Sequence, residues 1–397
     1  MKLKIAWVLI NVSHYHAARW KAVFHVPDYD ASIIEIANRD ASFAQLENKD
    51  KTSLQRLTLF PQQNWREIPG WKRQRAICKA LEAIGPDVVC LNGWSVGGGL
   101  AALHWCLLNQ RRSVIFSDSN AFDKSRYRLL EHIKNRLVAL TDSALVAGSA
   151  SRDYLLSMGF PPSRIFTGYD AVDNDHFSRD CEDHPISVYP GIFSNGDFFL
   201  AAARFEDKKN HLRLIDAYDL YRRKAAPNAW PLVILGDGYL RSEIEAKRET
   251  LALEDSIVLP GFVGYDELPV WYQGATCFIH PSTTEQWGLV INEAMASGLP
   301  VLVSNRCGCA PDLVEEGRNG YTFDPYDVDA LAGLMLKISS DDCDRAAMGQ
   351  ASREIIARWT PQTFAENLAR AVEAASQAPR SKASLFDKAL LWALMRR

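Results

Sequence analysis

The stretch TEQWGLVINEAMASG carries two carboxylates, Glu285 and Glu293, with a glycine between them, Gly288, where a helix is predicted to begin. The first amides of a helix have no partner within it, so the N–H groups of Leu289 and Val290 make an anion site that the helix dipole reinforces. Phosphate is the natural guest. One carboxylate before the helix and one about a turn and a half into it would flank that anion, each accepting hydrogen bonds from hydroxyls, which suits a polyol. Taken alone, the spacing also fits a helix-start charge followed by a solvated helix residue.

A second cluster of charge shifts that balance. The segment AARFEDKKN follows an apolar run and places Arg204 and Lys209 at the carboxyl end of a predicted strand. Two such cations neutralise a diphosphate and stabilise its departure as a leaving group, the role a metal ion plays elsewhere. Gly236-Asp237-Gly238 ends another apolar run, and a tight turn that needs glycine accounts for it better than direct catalysis.

The rhythm of the chain supplies the elements that must bring these segments together. KIAWVLI, DVVCLNG, SVIFSDS and SALVAGS alternate with amphipathic stretches in the first half, and FFLAAAR, PLVILGDG, SIVLPGF, TCFIHPS and PVLVSN do so in the second. This is the βαβ signature of parallel sheets, and it restarts after a polar stretch near Asp180 to Asn195. The expected architecture is therefore α/β, with two Rossmann-like domains over 1–190 and 191–355 whose parallel sheets face across a cleft. Ligands of open α/β sheets lie beyond the carboxyl ends of the strands. Helices over 356–397 are expected to cross back to the N-terminal domain, one of them starting at Thr360 and Pro361. The last segment, SLFDKALLWALMRR, is apolar on a broad face with basic ends and either packs on the protein or lies on a membrane.

From Arg204 to Pro325 the chain resembles the nucleotide-sugar domain of family-4 retaining glycosyltransferases of the GT-B fold. The resemblance runs in order through ARFEDKKNH, LVILGDGYL, VLPGFVGYDELPVWY, HPSTTEQWGLVINEAMASGLPVLVSN and GRNGYTFDP. It implies that Arg204 and Lys209 hold the donor diphosphate, with the amides of Leu289 and Val290 at its distal phosphate. It further implies that Glu293 holds the ribose hydroxyls, that Glu285 holds those of the transferred sugar, and that the base lies near Gly261, Phe262 and Val263. Retention of configuration rests on the resemblance alone.

The first domain departs from the family pattern of a glycine-rich loop after the first strand and a histidine at the end of a later one. Here the loop reads NVSHYHAARW, and SVIFSDSN offers Asp118. Asp118 is the candidate for activating or orienting the acceptor, and His14 and His16 are candidates to reach the ligand. Asn92-Gly93-Trp94-Ser95, followed by Gly97, Gly98 and Gly99, either cradles a phosphate-bearing acceptor or lets a helix pack closely. The runs Asp28-Tyr29-Asp30 and Asp173-Asn174-Asp175 imitate a metal-binding pattern. Since cations already serve the diphosphate, no metal site and no cofactor beyond the donor substrate are expected.

Composition narrows the rest. With 397 residues, 47% hydrophobic and 23% charged, the chain fits ordinary globular domains. Residues 1–190 carry a net charge of +3 and the remainder −6, far too little for a nucleic-acid partner. No apolar run approaches the roughly 18 residues of a spanning helix, and Ile5 to Ile10 reads as a buried strand rather than a leader. The eight cysteines show no CxxC spacing and read as reduced cytosolic thiols; the CGC at Cys307 and Cys309 lacks zinc-site spacing. Trp65, Trp71, Lys72, Arg73 and Arg75 suit either an interfacial helix on an anionic bilayer or a solvated basic helix. The sequence thus leads to a cytoplasmic glycosyltransferase, with a glycan or lipid-linked acceptor and peripheral contact with an anionic membrane. The alternatives are a nucleotide-sugar epimerase or hydrolase on the same fold and a non-catalytic nucleotide-sugar-binding relative.

Overall fold

The computed structural model describes residues 2–39, 55–94, 97–123, 126–181 and 196–395. The chain divides into two compact units, Met1–Ala171 with Thr360–Arg397, and Val172–Trp359. The boundary expected near residue 190 lies outside the described residues; the division itself falls between Ala171 and Val172.

Among the described residues seven strands build the first unit: β1 (Leu3–Leu9), β2 (Tyr29–Ala37), β3 (Arg56–Phe60), β4 (Val88–Asn92), β5 (Arg112–Ser117), β6 (Ser143–Val146) and β7 (Ile165–Thr167). They are parallel and ordered β3-β2-β1-β4-β5-β6-β7. A parallel sheet is covered on both faces, which is why its strands read as near-continuous apolar runs. On one face Ile77, Leu81 and Leu103 pack over Val8 and Leu91. On the other, Trp20 and Phe364 meet Trp7, whose ring lies 4.9 and 6.1 Å from theirs.

Phe364 belongs to the helix Pro361–Gln377, which Thr360 caps by accepting the Thr363 amide. Its far end is held by Arg112, which donates at 2.9 Å to the carbonyls of Ser376 and Ala378 and to Asp142. A cation there also complements the helix dipole. The final helix, Leu385–Leu394, starts with a Ser384/Asp387 capping box, ties Asp387 to Arg136 at 2.7 Å and buries Leu391. Its outer face leaves Leu385, Phe386 and Trp392 exposed, so packing on the protein uses only one side of it.

Among the described residues the second unit has six parallel strands: β8 (Phe199–Ala202), β9 (Leu232–Leu235), β10 (Ile257–Gly261), β11 (Cys277–His280), β12 (Val301–Ser304) and β13 (Gly320–Phe323). Their order is β10-β9-β8-β11-β12-β13. The Gly236-Asp237-Gly238 turn is a packing requirement, because a Cβ on Gly236, at φ +135°, would lie 1.9 Å from the Ala203 carbonyl oxygen. In each sheet the strand order reverses once, between β1 and β4 and between β8 and β11. The loops leaving those strands are where an open α/β sheet offers a ligand crevice.

Candidate functional site

In the second unit the two loops at the reversal are 203–210, after β8, and 281–288, after β11. Asn210 adopts a left-handed conformation, φ +61°, and donates from Nδ2 to the carbonyls of Pro281 at 3.1 Å and Pro325 at 2.8 Å. The Thr283 amide donates to the Lys208 carbonyl at 2.8 Å, which bolts one loop to the other. Glu285 is clamped by its backbone: its amide donates to Arg306, and its carbonyl accepts from Gly308 at 3.0 Å. The CGC segment therefore serves as a rail for Glu285. Both of its thiols are buried, and burial pushes them up, away from thiolate.

This framework brings Lys209 and Glu285 together. Lys209 Nζ bonds Glu285 Oε2, with the two side chains 12% and 13% exposed. His280, at the end of β11, places Nε2 3.5 Å from the same oxygen and 3.0 Å from Ser282 Oγ. Burial alone would raise the Glu285 carboxyl, but the His280 hydrogen bond and the charges of Lys209 and Lys208 outweigh it and hold it well below the usual range. Burial pushes His280 down. Arg204 is half-exposed, with Nη2 3.4 Å from Glu206. Its carbonyl accepts from His211 Nε2 at 3.3 Å, and burial lowers His211 to about 3, so that imidazole is neutral.

Gly288 caps the helix Leu289–Ala296 at φ +112°, where a Cβ would meet Ile291 Cδ1 at 2.9 Å. Leu289 and Val290 open the helix half-buried. Glu293 is not a solvated helix residue. It is 0% exposed because it lies on the buried face Ile291–Ala296, and the Tyr272 hydroxyl donates to its Oε2 at 2.7 Å. Gly261 ends the edge strand β10 and accepts from the Gly236 amide at 2.8 Å, while Phe262 is exposed and Val263 half-buried.

In the first unit, Glu35 governs the loop after β1. Buried in β2, it accepts from the Val12 amide at 2.9 Å, from Arg56 Nε at 2.9 Å and from Thr58 Oγ1 at 2.7 Å. Ser13 then caps the helix His14–Phe24, and His16 closes the cap by accepting the Ser13 amide at Nδ1, 3.2 Å. The His16 ring stands edge-on to Trp7 at 5.3 Å, and burial, helped by Arg19, lowers it to about 3. His14 is half-buried at the first position of the helix.

Asp118 follows β5, and its carbonyl accepts from Ser151 at 3.0 Å. Burial, reinforced by the charge of Asp170, raises its carboxyl to about 7. Asp170 pairs with Arg19 at 3.1 Å; Arg19 also donates to the Ala171 carbonyl and lies over the Tyr169 ring at 4.7 Å. The Tyr169 hydroxyl in turn reaches Asn92 Oδ1 at 3.3 Å. Gly93 sits at φ +73°, and Trp94 is buried against Tyr154. Ser95 lies outside the described residues. Gly98 and Gly99 have packing reasons, since Cβ atoms there would come within 2.4 Å of Ile36 Cδ1 and 2.8 Å of the Gly93 oxygen.

The sequence singled out Lys209 and Glu285 but not their contact. It passed over His280, His211, Glu35 and the Arg19–Asp170 pair. For His280 and Glu35 the signal was a polar residue set inside or at the end of an apolar strand. Among the described residues no group of three or more His, Cys, Asp or Glu side chains is gathered as for a metal ion.

Residues 186–355 match the family described as glycosyl transferases group 1. AmsK, an amylovoran biosynthesis glycosyltransferase of Erwinia amylovora, is 27% identical over 243 residues, 58% of this chain and 56% of AmsK. A GDP-mannose-dependent α-(1-6)-phosphatidylinositol monomannoside mannosyltransferase of Mycobacterium tuberculosis is 31% identical over 237 residues, 58% of this chain and 61% of that protein. The chain thus spans little more than half the length of these relatives. Among solved structures, Anabaena HepE in complex with UDP aligns with a TM-score of 0.74 over 94% of this chain and all of its own, at 18% identity. That likeness shows the fold, two Rossmann-like units of the GT-B class.

Proposed function

We propose, from the match of residues 186–355 to the glycosyl transferases group 1 family, that the protein moves a sugar from a nucleoside-diphosphate sugar to a hydroxyl acceptor, with retention and without a metal ion. The observation that carries this reading is the Lys209–Glu285–His280 cluster at the strand-order reversal of the second unit, beside a helix that begins on a left-handed glycine. Lys209, Arg204 and the first amides of that helix take the diphosphate and stabilise the negative charge that grows on it as the glycosidic bond breaks. Glu285 stays ionised and accepts hydrogen bonds from hydroxyls of the transferred sugar. Glu293 takes the ribose hydroxyls, with Gly261 to Val263 against the base. For Glu293 this requires Tyr272 to yield a place on its carboxylate.

The first unit handles the acceptor in this reading. Asp118, protonated up to about pH 7, donates to or withdraws a proton from the acceptor hydroxyl as pH crosses that value. The acceptor is a glycan or lipid-linked intermediate of exopolysaccharide or cell-envelope synthesis, an assignment supported by the roles of AmsK and the mannosyltransferase. The protein works in the cytoplasm and touches an anionic membrane through Trp65 to Arg75 and the final helix. The test is thermal unfolding with UDP, GDP, ADP and their sugar conjugates, followed by product analysis with and without acceptor. A ligand present at about 100 times its Kd stabilises by roughly 2.7 kcal/mol. No stabilisation by any of them, or release of free sugar alone with every acceptor, would overturn the reading.

A further inference from the structure

The first unit holds a cavity of about 490 Å³ that the proposed transfer does not use. It lies among the turn Trp65–Glu67 and the helices Gly97–Leu108, Arg128–Val138 and Leu385–Leu394. Its size falls within the range of small-molecule sites. Trp94, Leu100 and Leu137 line it and are each 7% exposed or less, which makes its interior apolar.

Among the described residues, the charged ones that line it are Arg66, Arg73 and Lys134, and no carboxylate lines it. Lys134 is bonded to Glu131 at 2.7 Å. Arg73 Nη1 donates to the Trp65 carbonyl at 3.4 Å, and both arginines lie over the Trp65 ring, their guanidinium carbons 5.7 and 5.2 Å from its centroid. Among the described residues no carboxylate stands within ion-pair distance of the exposed Arg66. Arg73 is 7% exposed, and burial lowers its proton affinity. An anion arriving at Arg66, with the positive charge of Arg73 close by, would gain charge-assisted hydrogen bonds beside an apolar wall.

An apolar interior with a cationic mouth matches an amphiphile that is apolar along its length and anionic at its end. The elements around the mouth also expose Trp71, Leu129 and Leu130, a surface suited to a bilayer from which such a molecule would be drawn. We propose that this cavity binds a single membrane amphiphile, an aliphatic chain ending in a phosphate, with the chain against Leu100 and Leu137 and the phosphate between Arg66 and Arg73. The assignment stands apart from sugar transfer, because binding alone reads it.

Calorimetry on the full chain with n-dodecyl phosphate, n-dodecyl maltoside and inorganic phosphate separates chain from charge. Dodecyl phosphate should bind at one site per chain, dodecyl maltoside at least about tenfold more weakly, and inorganic phosphate without saturation. Arg66→Glu, on the exposed rim, should weaken dodecyl phosphate by about tenfold or more while leaving dodecyl maltoside unchanged. Ile133→Trp fills the cavity from a half-buried position and should weaken both amphiphiles; if that variant unfolds, Arg66→Glu decides alone. Equal binding of the two amphiphiles, saturable binding of inorganic phosphate at similar strength, or indifference to Arg66→Glu would each overturn the proposal.

Discussion

At the strand ends of the second unit, Glu285 lies against Lys209 and His280 and keeps its charge although largely removed from water. At the strand ends of the first, Asp118 lies near Asp170 and is raised to about 7, while His16 is lowered to about 3. The two sheets share a topology, a reversal in strand order and loops at equivalent places. They differ in how the charges are paired. In the second unit cations stand beside the carboxylate; in the first, Arg19 is committed to Asp170, and Asp118 meets burial and a like charge. One scaffold therefore produces a centre that holds ions and another that holds neutral, proton-bearing groups, through the choice of neighbours alone.

The strongest way to break this contrast is Lys209→Ala. It removes the cation proposed to meet the diphosphate and leaves Glu285 charged with less compensation. Losses of about a hundredfold or more are expected in both nucleoside-diphosphate affinity and turnover. Calorimetry and steady-state kinetics measure them, and a change of less than about threefold would show that Lys209 does not carry the phosphate charge.

The next largest effect separates the two glutamates. Glu285→Gln should leave free nucleotide binding nearly intact while lowering turnover by about ten- to a hundredfold. Glu293→Gln should weaken free nucleotide and nucleotide sugar alike. If Glu285→Gln weakens the bare nucleotide as much as Glu293→Gln does, the assigned roles fail.

A smaller effect tests the first unit. The raised Asp118 binds a proton in the native chain between about pH 4 and pH 7 that the unfolded chain has lost, so its contribution to stability falls as pH rises through that window. Glu285 has the opposite sign: its lowered value supports the fold above about pH 4.5 and loses that support on acidification. Asp118→Asn, which mimics the neutral carboxyl, should raise Tm at pH 8 by about 2–4 °C, with the gain shrinking toward pH 4. A gain independent of pH would place the cause elsewhere.

The smallest expected effect is none: transfer should continue in excess chelator if, as proposed, Arg204, Lys209 and the helix amides neutralise the diphosphate. Activity that disappears with EDTA and returns with magnesium would remove the second unit's claim to do so alone.

The βα rhythm and the strand-end position of each candidate were legible because apolar periodicity and glycine placement are local. The Lys209–Glu285 contact was not, because it depends on β8 and β11 being neighbours, and strand order is a property of the whole sheet. The same reason hid the Arg19–Asp170 pair. Glu35 left a plainer trace, a carboxylate inside the apolar run ASIIEIA that only a buried cation could accommodate. Its partner Arg56 lies on β3, again across a strand pairing. The sequence left a solvated position for Glu293 open, because two carboxylates around a helix start also suit two exposed acceptors. The helix is short and apolar on nearly every side, so its fifth residue is enclosed.

The cap that His16 makes has a consequence for the chemistry of its loop. Since Nδ1 accepts the Ser13 amide, the single proton of the neutral ring sits on Nε2, and with a proton affinity so low the ring keeps that tautomer throughout the physiological range. A histidine locked in this way is blind to pH. It presents an uncharged N–H whose direction the helix start sets, much as a side-chain amide would, so Gln is a closer chemical substitute for it than Lys or Arg.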